Sequence, residues 1–251
     1  MKLNFLTSFI IANLKHDTTK DNIISTSPGG KKGLYYLGSL NYIKNNYDLS
    51  DFSFLGCSAG AWCSLYMCFT GNDNDFIQDI LQFDFTEQSL YQSQLIYKNN
   101  LLKKYCTDDF NLDRLNIGVS RLGNINKLSL KTTVCNQFID LEDAIDCCIS
   151  SSHVPIITGG GIIRRYKNRI TFDGGLTHKS KKYVKNNILH ISSSTWKNKK
   201  YINMQGLSKI KELDSRAFFE DGYEDAKNNK EYLDSLLKCK HNNNDKKNSK
   251  I

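Results

Sequence analysis

Proline is nearly missing from this chain, Pro28 and Pro155 being its only two, while Asn, Lys, Ile and Tyr abound. That bias fits AT-rich coding and carries no chemistry. Cysteine occurs eight times, yet there is no Cys-x-x-Cys pair and no His/Cys cluster at zinc spacing, so no metal site is expected. The neighbours Cys147 and Cys148 fall in a helical pattern where they cannot readily bond each other. Reduced, mostly buried thiols in a reducing, cytoplasmic setting are therefore expected. Long apolar runs are absent too. Met1 to Leu14 is apolar but broken by Asn4, Thr7 and Ser8, has no small-x-small cleavage site and is too short to span a bilayer. Neither a signal peptide nor a membrane span is expected; any membrane attachment would be peripheral.

Basic charge is in excess, with a formal net charge of +8. Much of the excess lies in the Asn- and Lys-rich stretch Lys238 to Ile251, expected to be a disordered tail. Basic and aromatic residues are not interleaved on one segment, which argues against nucleic acid as a partner. A positively biased surface suits anionic lipid headgroups instead, at about 1 kcal/mol per nearby Lys or Arg. The glycine loop Pro28-Gly29-Gly30-Lys31-Lys32-Gly33 matches neither Gly-x4-Gly-Lys-Ser/Thr nor Gly-x-Gly-x-x-Gly, so no nucleotide and no organic cofactor is expected.

What remains is organised around sheet and helix. Asn22 to Ser27 reads as a strand, followed by the glycine loop and an apolar-periodic helix from Leu34 to Ile43. The arrangement then repeats with the strand Phe52 to Leu55, a tight turn, and a helix through Phe69. Consecutive strand–loop–helix units imply a parallel sheet whose functional loops share one edge, so the two loops should lie side by side. Asn72 to Asn111 has helical spacing around Phe76, Ile80, Leu90, Leu95 and Leu101, and reads as a helical cap over that edge. Strands are expected at Leu115 to Val119, Leu128 to Val134, Arg169 to Phe172 and Ile188 to Ile191. A helix capped by Asp140 runs from Leu141 to Ile149, and Ala217 to Leu237 is mostly helical. One α/β domain over residues 1–237 is the expected organisation.

The turn after the second strand is Gly56-Cys57-Ser58-Ala59-Gly60, a Gly-x-Ser-x-Gly between a strand and a helix. A nucleophilic serine needs a strained bend that lifts its Oγ above the sheet edge, and glycines two residues away on each side let neighbouring chains approach. Ser58 is the candidate nucleophile. A serine hydroxyl needs a base, and Asp173, at the end of an expected parallel strand with Gly174 and Gly175 behind it, is placed to accept its proton. An acyl-transfer oxyanion needs preplaced N–H donors. Gly29, Gly30 and the backbone that follows, including Lys31, can supply them, with Ala59 at the positive end of the elbow helix. His178 and His153 are the alternatives that would turn the pair into a triad. The expectation is rather that one is a surface histidine and the other packs under the Pro155 turn.

Pro28 to Gly33, Gly56 to Gly60 and Asp173-Gly174-Gly175, in this order, resemble the patatin-like phospholipase family. The helix-to-turn region from Leu141 to Pro155 joins the likeness, and Phe218 to Ala226 looks like a late helix of the adipose triglyceride lipase-like branch. The resemblance covers residues 22–237. It implies a three-layer α/β/α sandwich with a mostly parallel sheet, and a serine esterase that cleaves acyl esters of phospholipids or neutral lipids. By the same resemblance Ser58 is nucleophile, Asp173 general base, and the loop around Gly29 and Gly30, up to Gly33, the oxyanion hole, with no catalytic histidine and no cofactor. A membrane or lipid droplet would present the substrate, and Leu3, Phe5 and the cap residues are placed to meet it. The chain departs from the family in two residues of that loop. Pro28 stands where the first glycine is usual and Lys32 where arginine is, and proline offers no N–H. Two other readings follow: a catalytically silent lipid-binding or regulatory protein on the same scaffold, and a soluble thioesterase or small-ester hydrolase.

Overall fold

The computed structural model describes residues 22–84, 88–123, 129–177, 186–197 and 214–240. The β-branched run Ile23-Ile24 sets the first strand, β1 (Asn22–Thr26), buried from its second residue onward. Strand β2 (Phe52–Cys57) is buried at every position, as a strand covered on both faces must be. The order along the sheet places β1 between β2 and a later strand, β7 (Asn187–Ile191), parallel to both. A longer strand, β3 (Leu115–Leu122), pairs in parallel with β2. Beyond it the sheet turns mixed. Both β4 (Leu130–Cys135) and β6 (Arg169–Phe172) run antiparallel to β3, and β5 (Arg164–Tyr166) forms a hairpin with β6. The α/β architecture with a central sheet flanked by helices, expected from the sequence, is the one observed.

One expectation about that sheet is corrected. Asp173 follows an antiparallel strand, not a parallel one. The pairing registers show how it still reaches Ser58. β4 occupies one edge of β3 from Ile117 to Leu122, which leaves the opposite edge to β2 at Leu115 to Gly118 and to β6 at Ser120 and Arg121. Strands β2 and β6 therefore lie in line along the same edge of β3, running toward each other. Ser58, just past the end of β2, and Asp173, just past the end of β6, meet at that junction.

The helices α1 (Gly33–Asn46), α2 (Ala59–Cys68) and α5 (Leu141–Ser151) join the sheet in one hydrophobic core. Leu37, Leu40, Ile43, Leu65, Ile145 and Ile149 pack with Ile24, Phe54, Leu115, Ile117 and Leu189. Helix α5 is capped by Asp140, whose side chain accepts from the Asp143 amide at 2.8 Å, as the sequence suggests. A late helix, α6 (Ser215–Asn228), presses on α1 through paired glycines. A Cβ on Gly38 would strike the Phe219 carbonyl and one on Gly222 the Tyr35 carbonyl. Tyr35 donates to Asp225 at 2.6 Å and Ser39 to the Gly222 carbonyl at 2.9 Å across the same crossing. This contact fixes α1 and, through it, the glycine loop at its N-terminus.

The helical cap is the second correction. Helix α3 (Asp73–Gln82) brings Phe76 to 4.8 Å from Phe69, which also meets Tyr105 at 5.0 Å and Phe110 at 5.1 Å. Phe69 closes the C-terminal end of α2, and the ten residues of that helix, about 15 Å at 1.5 Å per residue, separate it from Ser58. Phe76, the first apolar residue of the expected cap, is drawn into this cluster instead. Helix α4 (Leu90–Lys104) does return toward the site: Tyr97 meets Trp62, one turn beyond Ser58, at 5.8 Å between ring centroids, and the Tyr91 amide donates to the Thr158 carbonyl at 2.8 Å.

At the C-terminus, α7 (Lys230–Asp234) follows α6, and Lys238 and Lys240 pair by backbone hydrogen bonds with Asp48 and Asn46. The expected start of the tail thus falls on placed residues, while 241–251 lie outside the described ones. The candidate N-terminal contacts Leu3 and Phe5, and His178, also lie outside them. All eight cysteines are free, five of them buried. Burial holds the Cys57 and Cys63 thiols up at about 12. Among the described residues no helix is long and apolar enough to cross a membrane.

Candidate active site

Ser58 stands between β2 and α2 with φ 54° and ψ −127°, a left-handed conformation that strains any residue with a Cβ by roughly 1–3 kcal/mol. The glycines on either side allow the bend. A Cβ on Gly56 would run into the Gly60 carbonyl, and one on Gly60 would come 2.5 Å from the Thr26 carbonyl oxygen and 2.7 Å from that of Ser27. The strain is held by a residue that the sequence reading missed. The Ser58 amide donates to Ser151 Oγ at 2.8 Å, and Ser151 Oγ in turn donates to the Gly118 carbonyl at 2.7 Å. Ser151 ties elbow, helix α5 and strand β3 together. The only sequence signal for it was the run of small polar residues Ser150 to Ser152 closing an otherwise apolar helix.

The two glycine-bearing loops lie side by side, as the repeated strand–loop–helix pattern implies. A Cβ on Gly33 would come 2.9 Å from that of Ala59. The loop leaves β1 through Ser27, whose amide donates to the Ile191 carbonyl at 2.8 Å and whose Oγ lies 2.9 Å from His190 Nε2. His190 also meets Ser25 Oγ at 2.7 Å through Nδ1, so this histidine braces the end of β1. Gly29 has no room for a side chain, since a Cβ would meet the Tyr36 ring at 2.5 Å. Gly30 takes φ +53° and opens a 3₁₀ turn, Gly30 to Lys32, that runs into α1. The amides of Gly30 and Lys31 head that turn, as the Ala59 amide heads α2, and first-turn amides lack partners within their own helix. Lys31 is exposed and Lys32 half-buried.

Asp173 is buried beside Ser58, within reach of a side-chain hydrogen bond from its hydroxyl. Three further contacts hold the residue, two at its backbone and one at its carboxylate. Its amide donates to the His153 carbonyl at 2.6 Å, its carbonyl accepts from Ser120 Oγ at 2.8 Å, and its Oδ1 accepts from the Gly175 amide at 2.7 Å. Burial raises the Asp173 pKa above the ordinary carboxylate value, while the Ser58 hydroxyl, the Gly175 amide and the nearby His153 pull it back. Gly174 is tight against β3, since a Cβ there would collide with the Gly118 carbonyl. Thr177 secures the far side of the turn, 2.7 Å from Ser120 Oγ and 2.8 Å from Thr132 Oγ1.

His153 is buried and stacks on Phe172, ring centroids 6.5 Å apart. It packs by the Pro155 turn as expected and serves Asp173 with its backbone carbonyl. Burial lowers its pKa, which favours the neutral ring. Among the described residues no group of three or more His, Cys, Asp or Glu is placed to hold a metal ion.

No protein-family model and no curated protein matches the sequence. Among solved structures, the chain is similar to VipD from Legionella pneumophila, at 12% identity and a TM-score of 0.50, covering 88% of this chain and 68% of that one. It also aligns with the heterodimeric ExoU–SpcU complex of the Pseudomonas aeruginosa type III secretion system, at 14% identity and a TM-score of 0.43. That match covers 86% of this chain and about half, 52%, of the other. The likeness to VipD shows a shared fold.

Proposed function

We propose that this protein is a lipid acyl hydrolase of the patatin-like type, with Ser58 as nucleophile and Asp173 as general base. The observation that carries the reading is the meeting of Ser58, strained at positive φ on a strand-to-helix elbow, with a buried carboxylate in hydrogen-bonding reach. Strain of this kind persists where the surrounding structure enforces it and clusters at working sites. In the proposed cycle, Ser58 Oγ attacks the ester carbonyl carbon as its proton passes to Asp173. The resulting oxyanion is held by amides of the Gly29–Lys31 turn and of Ala59. Collapse breaks the ester C–O bond, and the leaving alcohol takes the proton from Asp173. Water then attacks the acyl-serine, giving its proton to Asp173, and the fatty acid departs as Ser58 recovers its hydrogen.

Pro28 supplies no N–H to this hole. Its ring packs against Gly175, which supports a role in shaping the wall between the two loops. The resemblance of Phe218 to Ala226 to the adipose triglyceride lipase-like branch adds neutral lipids to phospholipids as substrates, and the setting is cytoplasmic with peripheral contact to lipid. The reading is tested by fluorophosphonate labelling of the wild type and Ser58→Ala, run beside fatty acid release from phospholipid and triacylglycerol emulsions. Labelling confined to the wild type, with fatty acid released, is the expected outcome. A folded wild type that neither labels nor hydrolyses sinks the reading and leaves a lipid-binding protein on a hydrolase scaffold.

A further inference from the structure

The segment joining α5 to β5 inverts the usual sorting of side chains. Thr158 is only 6% exposed, with its Oγ1 donating to the Val154 carbonyl at 2.9 Å and its own carbonyl accepting from Tyr91. Around it Ile156, Ile157, Ile162 and Ile163 stand in solvent, 83%, 81%, 67% and 56% exposed. The backbone enforces this. Ile156 is held at φ 69°, an outlier for a β-branched residue, and Gly159, Gly160 and Gly161 all take positive φ. A Cβ on Gly159 or Gly160 would strike Ser89 or Tyr91, so the glycines rest on the start of α4 and turn the isoleucines outward. One exposed isoleucine is ordinary; four on one short loop mark a contact surface.

Charge identifies what meets it. Between Asp146 and Asp173 the sequence has no acidic residue. The hairpin that continues the loop exposes Arg165 and Arg169, while Arg164 lies over the Tyr91 ring at 4.0 Å. Lys167, between Arg165 and Arg169, is paired with Asp143 at 2.8 Å, and apolar tips beside the two exposed arginines complement an anionic bilayer, hydrocarbon below and phosphate above. The loop is also continuous with the site, because the hydrogen bond from the Asp173 amide to the His153 carbonyl closes its base. On the other side of Asp173, Leu176 is 53% exposed.

We propose that Ile156, Ile157, Ile162 and Ile163 insert into the surface of an anionic bilayer, with Arg165 and Arg169 on its headgroups. This deepens the lipid hydrolase reading and rests on it for the use of the contact, though the contact itself is measured without catalysis. The test is co-sedimentation of the full chain carrying Ser58→Ala, so that the vesicles stay intact, with phosphatidylcholine vesicles with and without phosphatidylserine. Binding is expected to favour the phosphatidylserine vesicles. The pair Ile156→Ser/Ile157→Ser, and separately Ile162→Ser/Ile163→Ser, should weaken it about tenfold or more. Arg165→Gln/Arg169→Gln should remove the preference for phosphatidylserine. In the Ser58-containing protein the isoleucine variants should hydrolyse a soluble short-chain ester as the wild type does. Absence of that hydrolysis in the wild type would count against the catalytic reading and leave the vesicle result standing on its own. The bilayer proposal is overturned if the chain ignores phosphatidylserine vesicles or if the isoleucine variants bind like the parent. It is equally overturned if light scattering finds a dimer that these substitutions convert to monomer.

Discussion

Pro28 and Gly175 touch across the candidate site: a Cβ added to Gly175 would lie 2.9 Å from the Pro28 Cβ and 2.8 Å from Asp173 Oδ1. The ring of one loop and the bare backbone of the other thus set where the carboxylate sits. Gly175→Ala should push the Asp173 side chain off Ser58 or open the gap to Pro28. A displacement near 1 Å costs on the order of 10²-fold in a positioned reaction. We expect kcat/KM on a soluble ester to fall by about that factor with little change in the melting curve. Unchanged kinetics in Gly175→Ala would show that the carboxylate does not depend on this packing.

Ser151 yields a prediction of another kind, because it works on the backbone. Removing its hydroxyl in Ser151→Ala leaves the Ser58 amide without its acceptor and the Gly118 carbonyl without the Ser151 donor. A buried polar group left unpaired costs about 1–3 kcal/mol. Urea unfolding of Ser151→Ala should register a loss in that range, together with slower fluorophosphonate labelling as the elbow relaxes. A stability within a few tenths of a kcal/mol of wild type would mean that water replaces the hydroxyl.

The sequence made the elbow legible because the physics there is local: Gly56, Ser58 and Gly60 meet their constraints within five residues and the flanking apolar runs reveal strand and helix. The fold class was legible for the same reason, since two strand–loop–helix units in succession admit few arrangements. Asp173 was legible as a residue but not in its route to the site. The direction of β6 is set by its pairing with Ser120 and Arg121, far back in the chain, along the edge of β3 that β4 leaves open, and that pairing has no trace in Arg169 to Phe172 itself. The roles of Ser151 and Ser120 were hidden for a related reason, as the groups they bind, the Ser58 amide and the Gly118 carbonyl for one, the Asp173 carbonyl and Thr177 for the other, lie far along the chain. Strand β5 has one apolar residue in three and no period to read. Phe76, Ile80, Leu95 and Leu101 suggested a lid because apolar residues at helical spacing look alike whether they cover a site or close a core.

The strain at Ser58 can be measured apart from its chemistry. Ser58→Ala removes the hydroxyl but keeps a Cβ at positive φ, whereas Ser58→Gly removes both, and a left-handed conformation costs an L-residue roughly 1–2 kcal/mol. Part of that gain is offset by the greater freedom of glycine in the unfolded chain. Ser58→Gly should therefore be the more stable of the two variants, by up to about 1 kcal/mol in urea unfolding. The opposite order would indicate that the elbow relaxes when the hydroxyl is lost.

Asp173 links activity to stability through pH. Burial raises its pKa in the folded protein, so the folded state holds the proton more tightly than the unfolded chain, where an aspartate titrates near about 3.9. The sign follows. Below the unfolded value the carboxyl is protonated in both states and costs nothing. As pH rises through the interval up to the folded value, ionisation favours unfolding, and above it the full penalty is present. Asp173→Asn stays neutral throughout and keeps an oxygen for the Gly175 amide. Its melting temperature should exceed that of the wild type at pH 7, and the difference should shrink as the pH is lowered toward 4. In the proposed mechanism the same ionisation governs catalysis, because only the carboxylate can take the Ser58 proton. The acid limb of kcat/KM on a soluble ester should fall above the range of an ordinary aspartate, within the pH interval where the two melting curves converge. A stability gap that persists unchanged into acid would show that the charge on Asp173 is not what strains the fold, and an acid limb at the ordinary aspartate value would assign the base elsewhere.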